Sequence, residues 1–340
     1  MKKNILIILA VILFFVLLLS ACFITYTIFT REPSDINLPN DNQVVEKPDV
    51  VNEEPELDLH SPLFTKENFP KMDASLATQP LTDAFYQNFL GLTPADDGYE
   101  GYTNTHWGYE RLITGHTTFK EKEYADRDII VVTYPSIEEQ QLAKDNNVEL
   151  DITPVVNEGF VFFVNKENPV DNLTLKQIQD IYSGKITNWK EVGGLDEEIL
   201  PYQRPVNSGS QTGMLDLVMK DENGNPIKMI EPTQETFEST MEGIIEAVAD
   251  YDNARAAIGY SYYYYANTMF TKDSIKLISV DGVKPTNETI KNNTYPIHTA
   301  YYIVTRKDEP KDSLVTKLKE AMLSERGQIV AENAGYVPVG

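Results

Sequence analysis

Residues 203–219 read QRPVNSGSQTGMLDLVM, a single guanidinium at Arg204 followed by Ser208, Gly209 and Ser210 and then an apolar helical pattern. Small residues at a helix start leave backbone N–H groups unpaired, and a helix N-terminus favours negative charge. Gly209 lets the backbone approach a ligand, Ser208 and Ser210 can donate to it, and Arg204 can reach back over the loop to give paired bonds to an oxyanion. Two further segments share the pattern of hydroxyl residues ahead of a helix: MDASLATQPLTDAF (72–85), with Ser75 and Thr78, and YTNTHWGYERLITG (102–115), with Thr105. Each alone is explained by helix capping, and Arg204 alone by a surface ion pair. Only convergence of the three in space would make a site.

Other chemistries lack their anchors. GxSxG, P-loop, GxGxxG and CxxC patterns are absent, so nucleophilic, nucleotide and redox catalysis have no starting residue. The four histidines (His60, His106, His116, His298) show no ligand spacing, and Cys22 is the one cysteine. Neither a disulfide nor a cysteine metal site can be built within the chain. The expectation is a binding protein, not an enzyme, with no cofactor and no metal. A net charge of −23 and a pI near 4.5 argue against nucleic acid as a partner, because phosphate backbones are held by fields of Lys and Arg. A small anion is compatible with that charge, since a closed site feels nearby dipoles more than distant, screened carboxylates.

The elements that would position these residues read as α/β. Helices are expected at 81–90, 105–115, 136–146, 174–183, 209–220 and 240–251, with a pair over 312–333. Strands are expected at 128–134, 159–165, 256–260, 275–280 and 299–306, apolar almost throughout, as buried parallel strands are. Thr174 with Gln177 forms a capping-box pattern that stops at Gly184, and Ser136 opens the next-earlier helix in the same manner.

The N-terminus is a separate matter. Lys2 and Lys3 precede an uncharged run from Ile5 to Phe29, a secretory or membrane signal over residues 1–29 that is set aside from fold reasoning. LSAC at 19–22 resembles a bacterial lipobox, with lipid attachment at Cys22. An uncleaved helix is also physically sufficient, since about 20 apolar residues span a bilayer. Either anchor places the rest on the extracytoplasmic face of the cell membrane, by the positive residues ahead of the run. Residues 30–63, rich in Pro, Asp, Glu and Asn without apolar period, read as an extended acidic tether.

Five segments in register resemble the phosphate-type substrate-binding proteins of ABC importers: NPVDNLTLKQIQDIYSGKITNWKEVGG (168–194), QRPVNSGSQTGM (203–214), AAIGYSYYYYA (256–266), YPIHTAYYIVTRKD (295–308) and MLSERGQIVAENAGYVPV (322–339). FPKMDASLATQPL (69–81) is similar to the opening of one branch of that family. The resemblance implies a two-lobed type II periplasmic-binding-protein fold, each lobe a mixed sheet flanked by helices, with two hinge crossovers near 155–160 and 258–264. Lobe one would be 64–157 plus 263–340 and lobe two 158–262. It implies a monomer that captures phosphate or a similar oxyanion in the cleft and hands it to an ABC permease and its ATPase. Carried over by position, the contacts would be Ser75, Thr78, Thr105 and Thr133 from one lobe and Arg204, Ser208, Gly209 and Ser210 from the other.

Two positions depart from the family pattern. A carboxylate that accepts the proton of hydrogen phosphate is replaced near Thr133, and an acidic residue that steadies the arginine is replaced by Val206. The run YSYYYY (260–265) falls at the return crossover, where packing at the hinge is expected rather than an aromatic cage for a cation.

Overall fold

The computed structural model describes residues 63–92, 102–119, 121–251 and 253–339. The strands are β1 (Met72–Ala74), β2 (His116–Phe119), β3 (Lys122–Ala125), β4 (Ile129–Val132), β5 (Leu150–Asn165), β6 (Asn172–Leu173), β7 (Leu200–Pro201), β8 (Ala257–Tyr262), β9 (Ile275–Leu277), β10 (Ser279–Val280), β11 (His298–Arg306) and β12 (Val337–Pro338). The α-helices are α1 (Gln79–Leu90), α2 (Thr105–Thr114), α3 (Ile137–Asp145), α4 (Leu175–Tyr182), α5 (Gly209–Gly213), α6 (Met241–Asp250), α7 (Asn287–Lys291), α8 (Leu314–Leu323) and α9 (Glu325–Asn333). Cys22, the apolar run at 5–29 and nearly all of the expected tether lie outside the described residues. Among the described residues, no helix is long and apolar enough to cross a membrane.

The helix starts follow local chemistry. Thr174 Oγ1 accepts from Gln177 N at 3.1 Å while Thr174 N donates to Gln177 Oε1 at 2.8 Å, a closed capping box. Ser136 and Glu139 do the same ahead of α3. Gly184, with φ 77°, takes the left-handed backbone that lets the chain leave α4. The helix expected over 209–220 is α-helical only to Gly213; from Met214 to Val218 it widens to π geometry, with Met219 N bonded to Met214 O.

The main sheet runs β1-β4-β11-β5-β8-β7, with β9 and β12 also pairing β5. Its centre corrects the expectation of parallel strands: β1–β4 and β7–β8 are parallel, but β11 is antiparallel to β4 and to β5, and β8 is antiparallel to β5. The apolar runs within these strands, Ile129–Val132 and Phe160–Val164, are apolar because both faces are covered, not because they run in one direction. Phe160 to Val164 are wholly buried, and each such side chain contributes about 1.5–3 kcal/mol relative to an exposed one.

β5 is longer than expected because its first half, LDITPVVNE, mixes polar residues with Pro154. Pro154 stands where the β5–β11 register shifts, between Tyr301 and Tyr302, so its missing N–H falls at an irregular pair. β5 pairs β11 through Gly159 and β8 from Phe160 onward. It therefore changes partner at Gly159–Phe160, from β11 to β8. The strand expected over 275–280 is split, β9 pairing β5 and β10 pairing β6.

Glu158 is buried at this crossover, its carboxylate accepting from Gly159 N at 2.8 Å and from Tyr264 N at 3.2 Å on the returning chain. Tyr260 to Tyr265 are all buried or nearly so, so the run packs at the crossover and offers no open cage.

Candidate anion-binding cleft

The two parallel strands β1 and β4 end side by side, Ala74 paired with Val131, and the chain just beyond each carries a hydroxyl. The C-terminal edge of parallel strands is where ligands sit in open α/β sheets. Ser75 N donates to Val131 O at 3.3 Å, and Ser75 Oγ lies 2.9 Å from Thr78 Oγ1. Thr78 Oγ1 in turn donates to Val131 O. The Thr78 hydroxyl thus ties the first turn after β1 to β4, and Ser75 is the more available of the two. Thr133 follows β4; Tyr109 Oη donates to its carbonyl at 2.9 Å, which fixes the residue against α2.

α2 is set by a buried carboxylate. Asp73 accepts from Thr103 N at 2.9 Å and Thr103 Oγ1 at 2.7 Å, and pairs with Arg111 Nη1 at 2.6 Å, both ionic partners wholly buried. Asn104 caps the helix by accepting from Trp107 N at 3.1 Å. Thr105 is thereby held, buried, at the first helical position.

The other half supplies the loop from Gln203 to Ser210. Arg204 is buried, and its backbone N donates to Tyr260 Oη at 3.1 Å and Gln211 Oε1 at 3.2 Å. Its Nε donates to Ser210 Oγ at 3.3 Å and its Nη1 to the Glu238 carbonyl at 2.9 Å. Burial lowers its pKa to about 10, which leaves it charged at neutral pH. The residue at the family's acidic position, Val206, is 71% exposed, so the arginine is steadied by a hydroxyl and a backbone carbonyl instead. Ser208 Oγ accepts from Gln211 N at 3.2 Å, capping the short helix.

Gly209 is the meeting point. A β-carbon placed there would lie 2.8 Å from Thr133 Oγ1, closer than a side chain tolerates, and 3.0 Å from Thr105 Oγ1, a tight contact. Two hydroxyls from the first half of the fold therefore abut the backbone of the second, and glycine is what permits the approach. Tyr262 Oη donates to Gly209 O at 2.9 Å, and burial pushes the pKa of that phenol up, so it stays a donor. The structure brings Thr105, Thr133 and Gly209 together, and bonds Arg204 to Ser210 one residue further on. Ser75 and Thr78 stand at the adjoining strand end.

Some participants escaped the sequence reading. Tyr260 and Tyr262, expected only to pack at the hinge, lie on one face of β8 by alternation, where they hold Arg204 and Gly209. Asn207, with φ 68°, donates from Nδ2 to Glu138 Oε2 across the cleft. His106 Nδ1 pairs with buried Glu139 at 3.2 Å, and that bond raises the imidazole's pKa. A separate depression of about 690 Å³, lined by Asn165, Glu197, Asp250 and Arg255 among others, lies away from these residues. Its lining mixes carboxylates such as Glu197 and Asp250 with apolar residues such as Leu200 and Ala254, without the convergence of donors found at Gly209.

Residues 97–325 match the family described as the PBP superfamily domain. The chain belongs to that superfamily. Among curated PBP-type relatives, the phosphate-binding protein PstS of Borreliella burgdorferi is 29% identical over 187 residues, 54% of this chain and 63% of that protein. PstS of Staphylococcus saprophyticus is 26% identical over 271 residues, 78% of this chain and 79% of that one. In fold, the chain is similar to an ABC-type phosphate transport receptor from Vibrio cholerae, with TM-score 0.57, 21% identity and coverage of 78% of this chain and 98% of that one. It is also similar to a phosphate-binding protein from Stenotrophomonas maltophilia, with TM-score 0.53, 14% identity and coverage of 80% and 91%. The two-lobed type II architecture expected from the sequence is the architecture of this superfamily.

Proposed function

We propose that this PBP-superfamily protein is a solute-binding protein that captures inorganic phosphate between two lobes and delivers it to an ABC permease, acting by binding and not by catalysis. The observation that carries the reading is the contact of Thr105 and Thr133 with the Gly209 backbone, beside Arg204 and Ser210. Hydroxyls and N–H groups donate to the oxygens of the anion, and the buried guanidinium supplies the charge. PstS relatives named for phosphate binding support the choice of ligand. The ligand contacts in this reading are Ser75, Thr105, Thr133, Arg204, Ser208, Gly209 and Ser210, while Thr78, expected as a contact, spends its hydroxyl proton on Val131 O and its N–H on Ser75 O and so positions Ser75. In this reading lobe one is built on 64–157 with β11 and the C-terminal helices, and lobe two on 158–262; β9 and β10, expected with lobe one, pair Phe163–Asn165 and Asn172–Leu173 and so go with lobe two, with closure about the long β5.

Titration calorimetry with phosphate, sulfate, arsenate and molybdate tests the reading. Heat from phosphate at micromolar concentration supports it; no heat from phosphate while molybdate binds tightly would sink it. In the same proposal the protein works as a monomer on the extracytoplasmic face, held by lipid at Cys22 or by an uncleaved apolar helix. The mass of the mature protein, with and without Cys22→Ala, separates the two anchors, because only lipidation depends on that thiol.

A further inference from the structure

Thr133 is 3% exposed, and its hydroxyl lies beside Tyr262 Oη, whose proton goes to Gly209 O, so that no donor or acceptor of good geometry satisfies it. Buried polar groups are almost always bonded, so an orphan in a cleft points to a missing ligand. The donors around it are spent elsewhere: Tyr262 Oη on Gly209 O, Tyr109 Oη on the Thr133 carbonyl, and Thr78 Oγ1 on Val131 O. The carboxylates on the neighbouring elements are spent too. Asp73 is taken by Arg111 and Thr103, Glu138 by Asn207, and Glu139 by Ser136 N and His106. What faces the approach to Gly209 is a hydroxyl, not a carboxylate.

We propose that Thr133 sets which oxyanions the cleft takes, and that it admits tetrahedral oxyanions with or without a proton, sulfate as well as hydrogen phosphate. A hydroxyl is both donor and acceptor and rotates to suit. It accepts from the P–OH of hydrogen phosphate or donates to the bare oxygen of sulfate, with Arg204 balancing the charge in both cases. An ionised carboxylate in the same place could only accept, and would repel an oxygen that brings no proton. The inference rests on the cleft being an oxyanion site, as proposed above.

The test is titration of the full chain with phosphate and with sulfate at about pH 7.5, separately and in competition, for the wild type and for Thr133→Asp, Thr133→Val and Thr133→Ser. The wild type is expected to bind the two anions within about tenfold of each other, a difference of one hydrogen bond or less. Thr133→Asp should lose sulfate by about a hundredfold more than phosphate, since repulsion acts on the unprotonated anion. Thr133→Val should weaken both by about tenfold, and Thr133→Ser should leave both near wild type. If Thr133→Asp does not fold, the Val and Ser pair carries the test. Phosphate binding with sulfate rejected by the wild type overturns this inference and leaves the proposed function standing. Binding unchanged in Thr133→Val also overturns it. A wild type that binds neither anion overturns the proposed function and this inference together.

Discussion

Arg204 is gripped by Ser210, the Glu238 carbonyl and the Tyr260–Gln211 pair, so its guanidinium is placed before any ligand arrives. Removing it takes a charge-assisted bond from a buried site. Arg204→Ala is expected to weaken phosphate binding by at least about 2 kcal/mol, roughly 30-fold; calorimetry that shows unchanged affinity would take Arg204 out of the site. Gly209→Ala tests the approach of the two halves, since its β-carbon would be driven against the Thr133 and Thr105 hydroxyls. At least about a tenfold loss of phosphate affinity with little change in melting temperature is expected, because the clash falls on the cleft and not on the core. Equal affinity in the alanine variant would mean that the hydroxyls can retreat without cost. At this scale the sequence was informative wherever a signal was local: a guanidinium and small hydroxyl residues close together in the chain. Tyr262 and the Asn207–Glu138 contact were not legible, because their partners lie 53 and 69 residues away.

At the scale of elements, capped helices were readable because a cap is a short-range device, as Thr174–Gln177 and Ser136–Glu139 illustrate. Strand direction was not, since an apolar run reports that both faces are covered and says nothing of its neighbours' polarity. The same holds for the first half of β5, where Pro154 and alternating polar residues concealed a strand whose order comes from β11 and β12. Glu158, at the change of partners, is the testable feature of this element. Burial raises its pKa from 4.5 to about 8, against the N–H groups of Gly159 and Tyr264, which pull it down. The groups packed around it from the returning chain and from β11 are Tyr263, Tyr264 and Tyr301. Because the folded state holds this proton more tightly than the unfolded chain, the stability it contributes is complete below about pH 4.5 and is lost as pH rises through about 8. The slope it adds is at most about 1.4 kcal/mol per pH unit within that window. Glu158→Gln cannot ionise, so its melting temperature should fall less than that of the wild type between about pH 5 and about pH 8.5. Parallel profiles for the two proteins would show that Glu158 does not titrate in this range.

For the whole molecule, the contacts described at the candidate cleft are polar: Thr105 and Thr133 beside Gly209, and Asn207 on Glu138. The crossovers, by contrast, are built from buried tyrosines, the long β5 and Glu158. This division, buried aromatic packing at the crossovers and polar contacts at the cleft, suits a hinge whose closed state a ligand completes. Neither periodicity nor spacing could show such a division, because it depends on which halves meet; the two-lobed expectation came from resemblance alone. On the proposed function, a bridging anion supplies the missing closing energy. Phosphate at a hundred times its dissociation constant should then raise unfolding stability by about 2.7 kcal/mol and reduce the radius of gyration measured by solution scattering. Asn207→Ala should bind more weakly than the wild type by less than a factor of about five, since an exposed pair is worth about 1 kcal/mol or less. That loss should appear as faster phosphate release with an unchanged association rate, because the contact forms only once the lobes have met. Scattering that is identical with and without bound phosphate would mean that the cleft does not open, and the hinge reading of the β5 and β8 crossovers would fall with it.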